Sequence, residues 1–404
     1  MVGITVSIDE EEPQHQGGPR LRILHVVPSF HPAAYFGGPT VSLYSLCNHL
    51  AALPGVELRV MTTDTSGPRR QDRLSGEEKH ERAFPGYRVD FHRKAIGADF
   101  SPSLLLALWK GVAWCDVVHV TAVYSSPSIP ALLAARILRK PVVWSPRGAL
   151  QRWTESRRVA AKRVWDGLCD LLLHPGRSVL HVTSRQEAED SARRIHNAKP
   201  VTIENGVDAP ELLPEREWLS AGQMRLLYLG RLDPKKGIDN LLRAMAEMRD
   251  YSVRLRICGS GAPEYARYLG DLCRQLRIER SVEFVGTVRG AAKSAEFLRA
   301  DVCVVPSHTE NFGMVVAEAL AHGTPVIASR GTPWPDIETH AAGFWVSNDP
   351  QSLSDAISRA RQVDLPAMGR AGRDWMKRSY SWDAIAARML EAYRSLVPSK
   401  ASLV

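Results

Sequence analysis

The sequence predicts an α/β protein built from two doubly wound, Rossmann-like domains that face each other across a central cleft. Three observations predict it. The chain has 404 residues, room for two or three domains at roughly 150 residues each. Short apolar runs alternate with stretches of helical periodicity along almost the whole length, the pattern of parallel strands covered by helices on both faces. That alternation is interrupted over Asp208 to Gln223, where Pro210, Pro214, Gly222 and scattered glutamates make a linker with no buried run.

The elements follow in order. Leu21 to Val27 is a short strand, and Thr40 to Leu53 carries Val41, Leu43, Leu46, Leu50 and Leu53 at helical spacing. Val56 to Thr62 is a strand. The most apolar stretch, Leu104 to Val123, contains Lys110, Asp116 and His119, so it reads as a helix and a following strand, not a membrane span. Strands at Asp116–Val120 and Pro141–Ser145 flank a helix over Ile129–Leu138. Strand Val179–Thr183, helix Arg185–Ile195 and strand Pro200–Ile203 complete the first half. The second half restarts with strand Arg225–Leu229 and helix Ile238–Met248, then strand Ser252–Cys258 and helix Pro263–Leu276. Val282–Phe284, helix Ala291–Leu298, strand Val302–Val305, helix Met314–Ala321 and strand Pro325–Ala328 follow. Trp382 to Leu396 presents Ile385, Met389, Tyr393 and Leu396 on one helical face. The resulting division is a disordered acidic tail over 1–19, a first domain over 20–208, a linker over 209–223, a second domain over 224–378 and a final segment over 379–404.

Composition narrows the function classes. Hydrophobic residues at 44% and charged residues at 24% are ordinary for a globular chain and exclude a disordered, collagen-like or coiled-coil bulk. The first twenty residues lack the basic-then-apolar order of a secretory signal, so a cytoplasmic protein is expected. Six cysteines share no metal-ligand spacing and sit among apolar neighbours, which predicts buried thiols in a reduced compartment. Net charge is +8, and between Arg136 and Arg163 nine cations face Glu155 alone. Such a field favours nucleic acid, an anionic lipid surface or phosphate-bearing small molecules.

The residues with chemical promise lie in loops after strands, where such sheets bind ligands. Gly37-Gly38-Pro39 precedes a helix; paired glycines let backbone N–H groups approach a phosphate, although the motif alone fits an ordinary Gly-Pro turn better. It is not the GxGxxG of nicotinamide enzymes. Gly230-Arg231 with Lys235-Lys236-Gly237 sets two kinds of cation on a turn before a helix: a fork and a point charge for phosphate oxygens, or a solvated loop. Glu310-Asn311-Phe312-Gly313 leads into a helix that carries Glu318 among apolar neighbours. Glu310 suits either a hydroxyl-bearing ligand or the helix dipole. Glu318 needs a partner, a bound diol or a buried cation.

At these residues the sequence resembles the retaining glycosyltransferase family 4, whose members have the two-Rossmann GT-B fold. The resemblance runs from Leu21 to about Leu396. It rests on Gly37-Gly38, Glu204-Asn205-Gly206-Val207-Asp208, Gly230-Arg231 with Lys236-Gly237, Gly259-Ser260-Gly261, and Pro306-Ser307. Above all it rests on Glu310 and Glu318 at Glu-x7-Glu spacing, followed by Ala321-His322-Gly323-Thr324-Pro325. It implies a nucleotide-sugar donor held mainly by the second domain. Arg231 and Lys236 would bind the diphosphate and stabilise charge on the leaving nucleotide. Glu310, with the backbone of Asn311, Phe312 and Gly313, would hold the transferred sugar, Glu318 the ribose hydroxyls, and Gly38 the phosphates. The last helix would cross back onto the first domain. No metal and no cofactor are expected. Retention would proceed by same-face attack, not through the carboxylate pair of retaining glycosidases.

One departure stands out. Many relatives carry a histidine near the sugar in the loop after the strand ending at Ser145, and here Arg147 occupies that place. Arg147 and His119 are the two further candidates for sugar or phosphate contact. The acceptor side rests on Gln151 to Leu173, where Trp153, Val164, Trp165, Leu168 and Leu172 alternate with arginines and lysines. A basic amphipathic helix on an anionic membrane and a helix packed on its own sheet both fit. The membrane alternative goes with a polyprenyl-diphosphate-linked acceptor. Competing classes are an epimerase or phosphorylase of the same fold, and a nucleic-acid-binding protein, which leaves Glu310 and Glu318 without a task.

Overall fold

The structure is a computed structural model that describes residues 20–397 except 34, 36, 80–83, 152–158, 220–221, 249 and 251. The tail expected over 1–19, and Trp153 with its neighbouring arginines, lie outside the described residues. Two parallel sheets organise the chain. The first contains β1 (Leu21–Val26), β2 (Val56–Thr63), β3 (Arg88–His92), β4 (Val117–Thr121), β5 (Val142–Ser145), β6 (Ser178–Val182) and β7 (Lys199–Thr202), in the order β3-β2-β1-β4-β5-β6-β7. Between them run α1 (Gly38–Ala52), α2 (Pro102–Trp114), α3 (Ser128–Ile137), α4 (Val159–Leu172) and α5 (Arg185–Ala192). The second sheet contains β8 (Met224–Leu229), β9 (Val253–Cys258), β10 (Val282–Gly286), β11 (Val302–Val305), β12 (Val326–Ser329) and β13 (Gly343–Val346), ordered β10-β9-β8-β11-β12-β13. Its helices are α6 (Ile238–Met248), α7 (Pro263–Leu276), α8 (Gly290–Arg299), α9 (Met314–Ala321), α10 (Pro350–Ala360) and α11 (Leu365–Ser379), with α12 (Trp382–Leu396) last.

The central strands are buried on both faces, which is why they read as unbroken apolar runs: β4, β5, β11 and β12 have every residue buried. The strands absent from the sequence reading, β3 and β13, are sheet edges. Arg-Val-Asp-Phe-His of β3 is nowhere fully buried, so no apolar run marks it. The helices α10 and α11 were likewise not anticipated. Each has a proline in its first turn and an aspartate N-cap, Asp349 and Asp364.

The linker is packed against the second domain. Arg216 donates to the Gly323 carbonyl (2.5 Å) and the Thr324 hydroxyl (3.0 Å), and its guanidinium lies 3.6 Å from the centre of the Trp218 ring. The last helix does cross back. Trp382, Ile385, Met389, Leu390 and Tyr393 of α12 share one apolar core with Ile23, Leu43, Leu50 and Val143 of the first domain.

That core encloses a polar thread. The Ile203 carbonyl only accepts, so His181 Nε2 carries its proton (2.9 Å) and His181 Nδ1 accepts from the Ser145 hydroxyl (2.7 Å). Ser145 therefore accepts from His119 Nε2 (2.6 Å), His119 Nδ1 accepts from the Tyr393 hydroxyl (2.6 Å), and Tyr393 accepts from His25 Nε2 (3.1 Å). Each histidine is neutral in this scheme. Burial pushes His25 and His181 down to about 3 and His119 well below its ordinary value, and the Arg147 charge works in the same direction. All six cysteines are buried and unpaired.

Candidate active site

The two sheets turn their carboxyl ends toward one another across a cavity of about 260 Å³. From the first domain come Gly38, Ser42, Arg147 and Asn205; from the second, Gly230, Lys236, Ser307, Glu310 and residues 311–315. Gly38 opens α1, and Gly37 stands one residue back as its N-cap with φ +69°. A Cβ on either glycine would meet nothing within 4 Å, so their lack of side chains leaves open space beside the backbone.

The turn after β8 is held by a close backbone crossing. Leu232 N–H donates to Ser260 O and Gly230 N–H to Cys258 O, both at 2.9 Å. A Cβ at Gly259 would collide with the Gly230 carbonyl, and one at Gly261 with that of Leu232. The Gly259-Ser260-Gly261 motif thus serves the fit of this turn. The Tyr228 hydroxyl donates to the Arg231 carbonyl at 2.7 Å. Arg231 itself is exposed, beside the Gly230 that lines the cavity. Asp233 caps the 3-10 turn Pro234–Lys236, and from it Lys236 reaches into the cavity to form an ion pair with Glu310.

Glu310 is fixed from three sides: its N–H donates to Gly331 O (2.8 Å), and its Oε1 accepts from the Ser307 hydroxyl (2.8 Å) and from Lys236. Phe312 is buried, its carbonyl accepting from the Trp334 indole (2.5 Å), and Gly313 caps α9 in the left-handed region at φ +78°. Gly313, Met314 and Val315 line the cavity, which brings the free N–H groups of a helix start to its wall. Glu318 lies one turn further along α9. Its partner is a cation on a neighbouring helix: Lys293 Nζ of α8 donates to Glu318 Oε1 at 2.6 Å.

Arg147 follows β5 with φ +53°. Its Nη1 donates to Asn205 Oδ1 (2.6 Å), while Nε is buried without a hydrogen-bond partner. Burial lowers its pKa, opposed first by the charge of Glu187. Gly148, at φ +80°, admits the approach of Asn311, whose Cβ would stand 3.0 Å from a side chain there.

The cleft expectation for His119 is corrected. The residue is fully buried and both ring nitrogens are engaged by Tyr393 and Ser145, so it faces no ligand. Glu187 and Thr183, which the sequence reading passed over as site residues, meet Asn311 of the second domain. Glu187 is fully buried and accepts from Gly148 N (2.5 Å), Thr183 N (2.8 Å) and the Thr183 hydroxyl (2.9 Å). With the amide of Asn311 turned so that its nitrogen faces Glu187, that nitrogen donates to both Glu187 oxygens, and the amide oxygen lies 3.0 Å from the Thr183 hydroxyl. Ser184-x-x-Glu187 has capping-box spacing, the one signal that could have singled it out. Among the described residues no group of three or more His, Cys, Asp or Glu side chains could hold a metal ion.

Comparison with known proteins follows this division. Residues 36–210 match the Glycosyltransferase Family 4 model and residues 214–367 the model for glycosyl transferases group 1. The uncharacterized glycosyltransferase MJ1607 of Methanocaldococcus jannaschii is 36% identical over 175 residues, 42% of this chain and 44% of that protein. The D-inositol 3-phosphate glycosyltransferase of Corynebacterium urealyticum is 31% identical over 266 residues, 61% of each. The chain thus spans about half of the length of the curated relatives it matches. Among solved structures, sucrose-phosphate synthase from Thermosynechococcus elongatus superposes with a TM-score of 0.70 at 24% identity, covering 93% of this chain and 99% of that one. Anabaena Alr3699/HepE, in its complex with UDP-glucose, gives 0.70 at 16% identity over 93% of this chain and 100% of the other. By its paired domain matches and its two-sheet fold, the chain belongs to the family-4-like glycosyltransferases.

Proposed function

We propose that the protein is a retaining, metal-independent glycosyltransferase. It would move a hexose from a UDP- or GDP-linked donor to a lipid-linked glycan acceptor in surface polysaccharide synthesis. The observation that carries this reading is the Lys236–Glu310 pair inside a cavity closed by both domains: a cation and a carboxylate side by side, beside a helix start, match a phosphate next to a sugar hydroxyl. The relative Alr3699/HepE, crystallised with UDP and with UDP-glucose, supports a nucleotide-linked donor.

In this reading Arg231 and Lys236 take the diphosphate, with the Gly38 and α9 backbone N–H groups adding donors. Lys236 exchanges Glu310 for a phosphate oxygen, which frees Glu310 for the sugar hydroxyls. Glu318, held by Lys293, takes the ribose hydroxyls. The acceptor oxygen bonds to the anomeric carbon on the face from which the diphosphate departs. Its proton passes to a leaving phosphate oxygen, and the cations stabilise the charge that develops there. Closure of the halves excludes water and so limits donor hydrolysis.

The acceptor side is supported by the outer face of α4. Trp165, Asp166 and Cys169 pack inward, but Val164 (74% exposed), Leu168 (42%) and Leu171 (67%) form an exposed apolar stripe, and Leu133 and Ile137 of the neighbouring α3 are exposed as well. Lys162, Arg163 and Arg139 are close by in sequence, the composition of a helix face resting on anionic lipid. No described helix is long and apolar enough to cross a membrane.

The test is thermal stabilisation by a panel of nucleotide sugars, repeated with Lys236→Ala and Glu318→Ala. UDP or GDP sugars are expected to raise Tm of the parent and to lose most of that effect in both variants. Folded variants that respond like the parent would refute the assigned roles. NMR of the product anomer, with and without chelator, tests retention and metal independence.

A further inference from the structure

Away from the donor cavity, the loops that follow β2 and β3 form an open recess of about 390 Å³ lined by Arg70, Gln71, Arg73 and Arg93. No carboxylate lines it. None of the three guanidiniums is ion-paired with a described residue, and Arg73 Nε is buried without a hydrogen-bond partner.

The frame that holds these charges together is elaborate. Lys94 is fully buried, and its ammonium donates to the Thr65 hydroxyl (2.9 Å) and to the carbonyls of Gly67 (2.8 Å), Arg69 (2.8 Å) and Asp72 (2.9 Å). Its own N–H donates to Asp64 Oδ1 at 2.7 Å. An antiparallel bridge between Thr65 and Arg73 closes the first loop. One ammonium thus fastens the loop after β2 to the loop after β3 and fixes the backbone that carries Arg70 and Arg73. Like charges fixed side by side repel, and an anion between them reverses the sign of the interaction.

The recess lies at the same end of the sheet as the donor cavity. β2 adjoins β1, whose following loop delivers Gly38 to that cavity, and β3 stands one strand further out, at ~4.8 Å per strand. Three residues past Arg93 a small hairpin, bridged between Ile96 and Phe100, leaves Ile96 66% and Phe100 39% exposed. Exposed apolar side chains thus follow Arg93 closely along the chain.

We infer that this recess binds the phosphoryl group of the acceptor, with Arg70, Arg73 and Arg93 on phosphate or diphosphate oxygens and Ile96 and Phe100 on the first part of an attached apolar chain. The inference rests on the proposed lipid-linked acceptor and makes it specific: the substrate class is a glycosylated prenyl phosphate or diphosphate, bound by its anion on the first domain.

The experiment uses the full chain and the double variant R70Q/R93Q, since both side chains are exposed and neither is ion-paired with a described residue. Inorganic pyrophosphate is titrated calorimetrically in the presence of saturating UDP. The parent is expected to bind it, with an affinity that falls about tenfold or more in the variant while UDP affinity stays within about twofold. Absence of pyrophosphate binding, or equal binding by the two proteins, overturns the inference. A second arm compares phosphatidylcholine vesicles carrying either phosphatidylglycerol or a polyprenyl diphosphate. Preference for the polyprenyl diphosphate that R70Q/R93Q abolishes supports the acceptor site. Equal binding to the two anionic lipids overturns it in favour of a general headgroup patch. A protein that fails to bind UDP would defeat the donor reading separately, because the recess is read from the difference between parent and variant.

Discussion

The amide of Asn311, on the second domain, lies 3.0 and 3.1 Å from the two carboxylate oxygens of Glu187 on the first. Glu187 is wholly buried and already accepts three hydrogen bonds from its own domain. A buried carboxylate is costly to leave short of donors, so the contact favours the arrangement in which the halves meet. It stands at the wall of the donor cavity, next to Gly148 and Glu310. Asn311→Asp would set a second carboxylate against the first. The expected outcome is a more extended unliganded protein by small-angle scattering and transfer slowed at least about tenfold, with each domain still folded. Unchanged scattering and rate would mean that this contact does not govern closure.

The thread from His25 to Ile203 makes a second prediction. Tyr393→Phe removes one oxygen and leaves two buried groups without partners, the N–H of His25 and the Nδ1 of His119. Each orphan costs about 1–3 kcal/mol, so a loss of about 2–5 kcal/mol is expected in urea unfolding. The loss should exceed that of Met389→Leu on the same buried face, a near volume-conserving change.

The same thread fixes a pH dependence. His25 and His181 titrate near 3 when folded and His119 is also lowered, against about 6.5 when unfolded. Below pH 6.5 the unfolded chain therefore binds more protons than the folded one, and stability falls as pH falls. For three histidines the slope approaches about 4 kcal/mol per pH unit well below 6.5 and flattens near the folded values. Urea midpoints between pH 7.5 and pH 5 check this. A flat profile would mean the thread carries charge in the folded state.

Legibility of the fold tracked burial. Strands covered on both faces, such as Val302–Val305, were readable as apolar runs, whereas the edge strand Arg88–His92 meets partners on one side and leaves no such trace. The loops Gly230–Gly237 and Glu310–Gly313 were readable because short backbone turns after strands need glycine, and because charges are conspicuous there. Long-range partners were not. Nothing in Glu318 or its neighbours names Lys293, twenty-five residues away. His119 lies on the strand β4, two residues before its end at Thr121, but only the return of α12 with Tyr393 shows that its ring is engaged inside the core. Glu187 stands at capping-box spacing from Ser184, and its meeting with Asn311 depends on two domains docking.

Arg147 gives the last prediction. Its backbone is in the left-handed region, its only hydrogen-bonded side-chain partner among the described residues is Asn205, and one nitrogen is orphaned at the cavity. A cation so placed and so little compensated is poised for an anion, and the diphosphate of the proposed donor supplies one. Arg147→Met should therefore weaken donor binding about tenfold to a hundredfold. Arg147→His is the sharper measurement. An imidazole in this buried place, beside three neutral histidines, is charged only at low pH. Donor affinity of that variant should rise as pH falls from 8 toward 5.5, while the parent, whose guanidinium keeps its charge, shows no comparable rise. The buried histidines do not confound the comparison, because they remain neutral throughout that range. A His variant with pH-independent affinity equal to the parent's would show that the position supplies shape and not charge.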